Sequence, residues 1–295
     1  MRKALLISSL FITLVFALLS CEREIDIALE SSGTSIVVEG IIEPGAAPRI
    51  LITKNRGFFA NFPADVISLL DTFIVRDAIV IVSDGSVTDT LDFTINPFEY
   101  PFAYYTSSVI TGEVGKTYTL EVRALGQTAY SSTTIPPPVA VDSLYFGLNV
   151  FDAEADSQGF AYIQYTDPDT LGNAYRLYSK RNGEPQFFPV NGQIASDEFI
   201  NGRTITFFTG QSTKPFGVQD TFIEEDFFYL PGDTVYIKFC SIGMREYEFY
   251  NTFEAARGNN GNPFSSPALI KSNIRNGLGV WCGQSYFLDT LIVTQ

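Results

Sequence analysis

The sequence predicts a mainly β protein: an N-terminal β-sandwich of immunoglobulin or transthyretin-like type, followed by a second β-rich domain with one helix. Three observations lead there. The 295-residue chain carries 26 Phe and 15 Tyr against one Trp and two Met, and aromatic and β-branched side chains pack best on a pleated surface. Short apolar runs recur along it, separated by Pro, Gly and Asp-Gly turns. A proline cluster at 136–138 divides the pattern into two parts, each long enough for its own core.

The elements follow in order. "TSIVVEGII" (34–42) and "RILITK" (49–54) are β-rich runs joined by a Pro/Gly connection. "DAIVIVSDG" (77–85) ends in Asp84-Gly85, a hairpin signal, and "VTDTLDF" (87–93) alternates as a return strand. "GEVGKTYTLEVRALGQTAYSSTTI" (112–135) reads as a second hairpin, with Tyr118, Leu120 and Val122 on one face and Gly126-Gln127 in the turn. These make the first sandwich, 34–135. The prolines of segment 136–142 favour an extended spacer and cannot continue a sheet interior. Beyond, over 143–295, "LYFGLNVF", "GFAYIQYTD", "AYRLYSKRNG", "RTITFFTG", "DTVYIKFCSI" and "YFLDTLIV" are further strands. One helix interrupts them at 244–257, where Tyr247, Tyr250, Phe253 and Ala256 recur at three-residue steps and Gly258 supplies a stop. That stripe reads as a packing face.

The chain begins "MRKALLISSLFITLVFALLSC". Arg2 and Lys3 precede an uncharged run from Ala4 to Ser20, the form of a secretory signal rather than a membrane span. Leu18, Leu19 and Ser20 before Cys21 approximate a bacterial lipobox, in which the cysteine thiolate accepts diacylglycerol. On this reading 1–20 is a lipoprotein signal peptide and Cys21 the lipid attachment point. Several acyl chains anchor stably, at about 0.8 kcal/mol per buried methylene. Residues 21–33 form an acidic tether in which Glu22, Glu24 and Asp26 resemble an export signal for the outer face of the outer membrane.

Charge and composition exclude several functions. The formal charge is −14, and −16 once Arg2 and Lys3 are removed with the signal. That argues against nucleic-acid partners and against electrostatic attachment to anionic lipid. The chain contains no histidine, which removes the usual neutral-pH base, the histidine-dependent nucleophile arrangements and the commonest zinc ligand. No cofactor and no enzyme activity are expected.

The whole order of motifs resembles one family. "SIVVEGII" after the lipobox cysteine, "VRDAIVIVSDG", "GEVGKTYTLEV", the proline linker before "VDSLYF", "TDPDTLGNAYRLY" and "NPFSSPALIKSNIRNGLGVWCG" are together similar to the Bacteroidota outer-membrane lipoproteins designated domain of unknown function 4249. Within the last stretch, Asn262-Pro263-Phe264, Pro267, Ser272-Asn273-Ile274 and Gly277-Leu278-Gly279 fall where that family's pattern has them. Trp281 and Cys282 stand where an aromatic and a less reactive residue are usual. The resemblance implies an accessory role in uptake beside a TonB-dependent receptor and supplies no catalytic residues. A scaffold or adhesion lipoprotein without a small ligand is the structural alternative.

The remaining candidates each have a plainer reading beside the functional one. Cys240 and Cys282 are either a disulfide pair, closing a loop of about 40 residues and contributing roughly 3–4 kcal/mol, or two separate buried thiols. Asp152, Glu154 and Asp156 have the spacing of calcium ligands but lack the turn glycine and distal Glu of an EF-hand loop, so a solvated loop is the plainer reading. Glu224, Glu225 and Asp226 are the best pair-forming acids for a carboxylate-dependent hydrolase, and equally an exposed turn. Phe58, Phe59 and Phe62, with Tyr100 and Tyr104 of "NPFEYPFAYY", place aromatics in loops where no strand period demands them. They serve either a ligand or partner, or as cover for a sheet end.

Overall fold

The computed structural model describes residues 33–55, 72–149, 157–212, 227–258 and 269–294. Cys21, Phe58, Phe59, Phe62, Asp152, Glu154, Asp156, Glu224, Glu225 and Asp226 lie outside them.

The protein is mainly β, as the sequence predicts, with one long helix among the described residues. The strands of the described residues are β1 (Ile36–Ile42), β2 (Arg49–Lys54), β3 (Ile79–Ser83), β4 (Thr88–Thr90), β5 (Asp92–Ile95), β6 (Ala103–Thr106), β7 (Thr117–Ala124), β8 (Gln127–Thr134), β9 (Val141–Leu148), β10 (Gly159–Thr166), β11 (Ala174–Arg181), β12 (Phe188–Ser196), β13 (Thr204–Thr209), β14 (Thr234–Ile242) and β15 (Leu278–Ile292). Helix α1 spans Met244–Gly258. Among the described residues no helix is long and apolar enough to cross a membrane.

These strands build an eight-stranded sheet in the order β12-β11-β14-β15-β1-β2-β6-β5, a four-stranded sheet β4-β3-β7-β8 and a three-stranded sheet β13-β10-β9. Both expected hairpins form. In the second, the turn is Leu125-Gly126, one place earlier than expected; both residues have positive φ (54° and 70°), as a two-residue hairpin turn requires. Tyr118, Leu120 and Val122 are buried as their alternation predicts. The return strand of the first hairpin splits: β4 stays with β3, while β5 crosses to the large sheet beside β6. Buried Leu91 stands between them.

The expected division at 136–142 separates two cores, not two bodies. Residues Thr34–Gln295 form one compact unit, because β15 is fifteen residues long and serves both halves. Its first part, Leu278 to Gly283, pairs in parallel with β1; its second, Gln284 to Ile292, pairs antiparallel with β14. One face of the large sheet carries both cores. Between it and the four-stranded sheet lie Ile36, Val38, Ile50, Val80, Tyr118 and Trp281. Between it and the three-stranded sheet lie Ile163, Tyr165, Tyr175, Ile237, Phe239 and Leu291. Each is a sandwich core in which inward side chains of facing sheets interdigitate. Trp281 is fully buried, and its ring lies so close over Gly40 that a Cβ there would meet Cε3 at 2.7 Å.

The opposite face takes the helix. Val280, Cys282, Cys240, Ala174, Tyr178 and Ile242 pack there with Tyr250 of α1. The helical stripe is only partly the packing face expected: Tyr250 is buried, but Phe253 is 38% exposed and the acid Glu246 is 4% exposed. A buried charge on the inward side of a helix breaks a reading based on apolar periodicity.

Candidate functional site

The helix-side face of the large sheet gathers charge that strand alternation alone puts there. In β1 the side chains of Ile36, Val38 and Ile42 enter the core, which turns Glu39 and Ile41 to the other face. In β11 and β14 the same period places Arg176 and Tyr178 opposite Cys240 and Lys238. The floor is therefore polar and aromatic, with α1 along one side and residues 96–102 along another.

Residues 96–102 are positioned by three contacts. Glu99 pairs with Arg49 at 2.5 Å. The Tyr100 N–H donates to Gln186 Oε1 at 2.6 Å, and Gln186 Nε2 returns a bond to the Tyr100 carbonyl at 2.9 Å. The connection between strands of the first sandwich is thus tied to the β11–β12 turn of the second. Tyr104 lies in β6, 8% exposed, with the Arg49 guanidinium 5.2 Å from its ring centre. The loop expected around Tyr104 is a strand, and the ring is buried within it. Tyr100 is half-buried and faces Glu39; burial first, and that acid second, push its phenol up to about 12.

Two polar groups differ in how well they are satisfied. Glu43 accepts from Lys238 Nζ and Gln284 Nε2, each at 2.5 Å, and Lys238 lies 4.5 Å from the Tyr286 ring centre. That set is closed. Arg176 is not. Its guanidinium lies 3.6 Å from the Tyr250 ring centre and 4.9 Å from that of Tyr178. Among the described residues its one hydrogen bond is from Nη1 to the Tyr178 hydroxyl at 2.8 Å, and Nε is buried without a partner. Glu39 keeps access to solvent although protein surrounds it, so desolvation raises its carboxyl above the ordinary range while Arg176 pulls it back.

Cys240 and Cys282 are free, buried thiols; the disulfide is not formed. The register explains why: Cys240 stands opposite Tyr286, four positions along β15 from Cys282, whose own neighbour is Ile41 of β1. Burial pushes Cys240 up to about 12 and Cys282 well above its usual value, and a protonated thiol is no nucleophile. In the folded protein both are expected to resist iodoacetamide at pH 8 and to react fully in denaturant, as intact mass measures. Labelling of either in the native state would contradict this burial.

A second buried cluster pins the helix start. Glu246 Oε1 accepts from Thr133 Oγ1 at 2.9 Å and from Asn273 Nδ2 at 3.0 Å. Asn273 also donates to the Trp281 carbonyl at 2.8 Å and accepts the Trp281 N–H at 2.9 Å. The Thr133 hydroxyl oxygen further accepts the Gly283 N–H at 2.7 Å. This is positioning machinery: it joins α1, β8 and β15.

Among the described residues no three His, Cys, Asp or Glu converge as metal ligands. Arg176, Glu39 and Tyr178 escaped the sequence reading, and Tyr250 entered it only as part of a packing face. The signal for them is a charge inside an apolar strand: Glu39 within "IVVEGII" and Arg176 within "AYRLY". The chain belongs to the family described as Domain of unknown function (DUF4249), whose model matches residues 22–286. No curated protein matches it.

Proposed function

We propose that this member of the DUF4249 family is a lipid-anchored protein of the outer membrane, facing the cell exterior, that binds a ligand or partner as an accessory subunit beside a TonB-dependent transporter. The anchor reading is supported by the signal-like run ending at Cys21 and the acidic residues behind it. The observation that carries a binding role is the polar, aromatic face around Arg176, where a solvent-accessible acid and an incompletely bonded guanidinium are walled by tyrosines. Such a mixture of a few directed polar groups and aromatic surface suits recognition. Binding is favoured over catalysis because the chain has no histidine and its two buried thiols hold their protons.

Growth of the producing cells with an alkyne-bearing fatty acid tests the anchor. The protein is expected to carry the label, and Cys21→Ser to lose it and leave the membrane fraction. Detergent extraction and affinity recovery test the partner: an outer-membrane transporter is expected to co-purify. An unlabelled protein refutes the anchor, and recovery of the labelled protein alone refutes the accessory role.

A further inference from the structure

A guanidinium surrounded by protein is costly to desolvate unless its donors and its charge are answered. Lys238, the neighbouring cation on this face, has Glu43. Arg176 has no comparable partner: among the described residues no carboxylate forms an ion pair with it. Among the described residues one of its five N–H donors finds an acceptor, a neutral phenol. The rings of Tyr250 and Tyr178 hold the plane of the group by cation–π contact, so the fork is pre-oriented before anything binds. Helix α1 supplies Tyr250, β11 supplies Arg176 and Tyr178, and β15 supplies Cys282, giving the group a rigid setting on three elements.

From this geometry we infer that Arg176 is the anchoring residue of a ligand site on the helix-side face, and that the site takes the carboxylate of a small organic molecule. A planar guanidinium meets a carboxylate through two parallel hydrogen bonds. The surrounding charge selects among anions. Glu39 and Glu254 lie within electrostatic reach of Arg176, so a dianion such as phosphate meets more repulsion than a singly charged carboxylate. Tyr250 and Tyr178 are buried against Arg176 and hold it, so half-buried Tyr100, beside Glu39, is the ring left to meet an organic body. Glu39, open to solvent, is the acid that a bound anion must approach.

The site rests on the binding role proposed above but is read by a different measurement. Fatty-acid labelling and partner recovery test the anchor and the assembly; ligand titration tests Arg176. Benzoate, its neutral counterpart benzamide, and inorganic phosphate are titrated into the full-length detergent-solubilised protein by calorimetry. Benzoate is expected to bind, and benzamide and phosphate to bind about ten- to hundred-fold more weakly, the range of a charge-assisted pair. Arg176→Met is expected to abolish benzoate binding and Arg176→Lys to weaken it, because an ammonium offers no planar fork. Glu39→Gln, a change at a solvent-open side chain that leaves the core untouched, is expected to tighten benzoate several-fold by removing a like charge. If Arg176→Met does not fold, the benzamide comparison and Glu39→Gln decide alone. Equal binding of benzoate and benzamide, benzoate affinity unchanged or weakened in Glu39→Gln, phosphate binding in place of benzoate, or no benzoate binding to the wild type overturns the assignment.

Discussion

Replacing Gly279 with alanine is expected to prevent the large sheet from closing. Gly279 pairs with Val38 where β15 runs parallel to β1, and its φ is +102°. A side chain there is disfavoured by backbone sterics alone. Space makes the case stronger, because the added Cβ would lie 1.9 Å from the Val38 carbonyl oxygen and 2.9 Å from its carbon. Backbone cannot move aside as a flexible side chain can, so the two strands must part. Parting them would expose Val38 and Trp281, which are 1% and 0% exposed. Losses beyond about 4 kcal/mol are the mark of such combined strain and core damage, and the variant is expected to yield little folded protein. Gly258→Ala is the control: at the end of α1 a Cβ meets nothing within 4 Å, so a shift within about 0.5 kcal/mol is expected. Chemical denaturation followed by tryptophan emission reads both, since the chain has one Trp. Gly279→Ala unfolding within about 1 kcal/mol of the wild type would show that β1 and β15 tolerate separation.

That same segment shows what the sequence made legible and what it hid. Period-two alternation and turn residues are local properties, so most strands, both hairpins and α1 could be read directly from the chain, while β6, taken for a loop, and β12 were missed. Partnership between distant strands is not local. Nothing in "SIVVEGII" says that it lies beside "LGVWCG", and the parallel pairing of β1 with β15 is what turns two expected domains into one unit with two cores. The two readings of the cysteines stayed open for the same reason. Both occupy strands of one sheet, but only the register shows Cys240 facing Tyr286 rather than Cys282. Site residues were hidden differently. Arg176 and Glu39 lie on different strands, and their relation appears only when the chain is folded. Tyr100 was singled out for its loop composition and lies half-buried within electrostatic reach of Glu39, while Tyr104 from the same stretch is a buried strand residue.

Asn273→Ala is the second large effect, and its dependence on pH identifies the cause. The amide answers three groups: the Glu246 carboxylate at 3.0 Å, the Trp281 carbonyl at 2.8 Å and the Trp281 N–H at 2.9 Å. Truncation leaves all three short of a partner in a site where Glu246 and Trp281 are 4% and 0% exposed. At roughly 1–3 kcal/mol for each buried group left unanswered, a loss of about 3 kcal/mol or more is expected. That corresponds to roughly 6–12 °C in melting temperature for a unit of this size. Burial raises the Glu246 carboxyl above 4.5, opposed by its hydrogen bonds from Thr133 and Asn273. The folded state therefore holds this proton more tightly than the unfolded chain. Its contribution to stability is complete below about 4.5 and falls as pH rises through the higher folded value. Removing the Asn273 donor raises that value further, so the cost of Asn273→Ala should be larger at pH 7 than at pH 4. Asn273→Asp makes the sharper test. It keeps the acceptor for the Trp281 N–H but sets a second carboxylate against Glu246, and it should be worse than alanine at pH 7 and recover on acidification. Combining either change with Glu246→Gln should remove most of the pH dependence, because the titrating group is then gone. A pH-independent cost in the Asn273→Ala protein, or no coupling in the double variant, would mean that Asn273 acts through Trp281 alone.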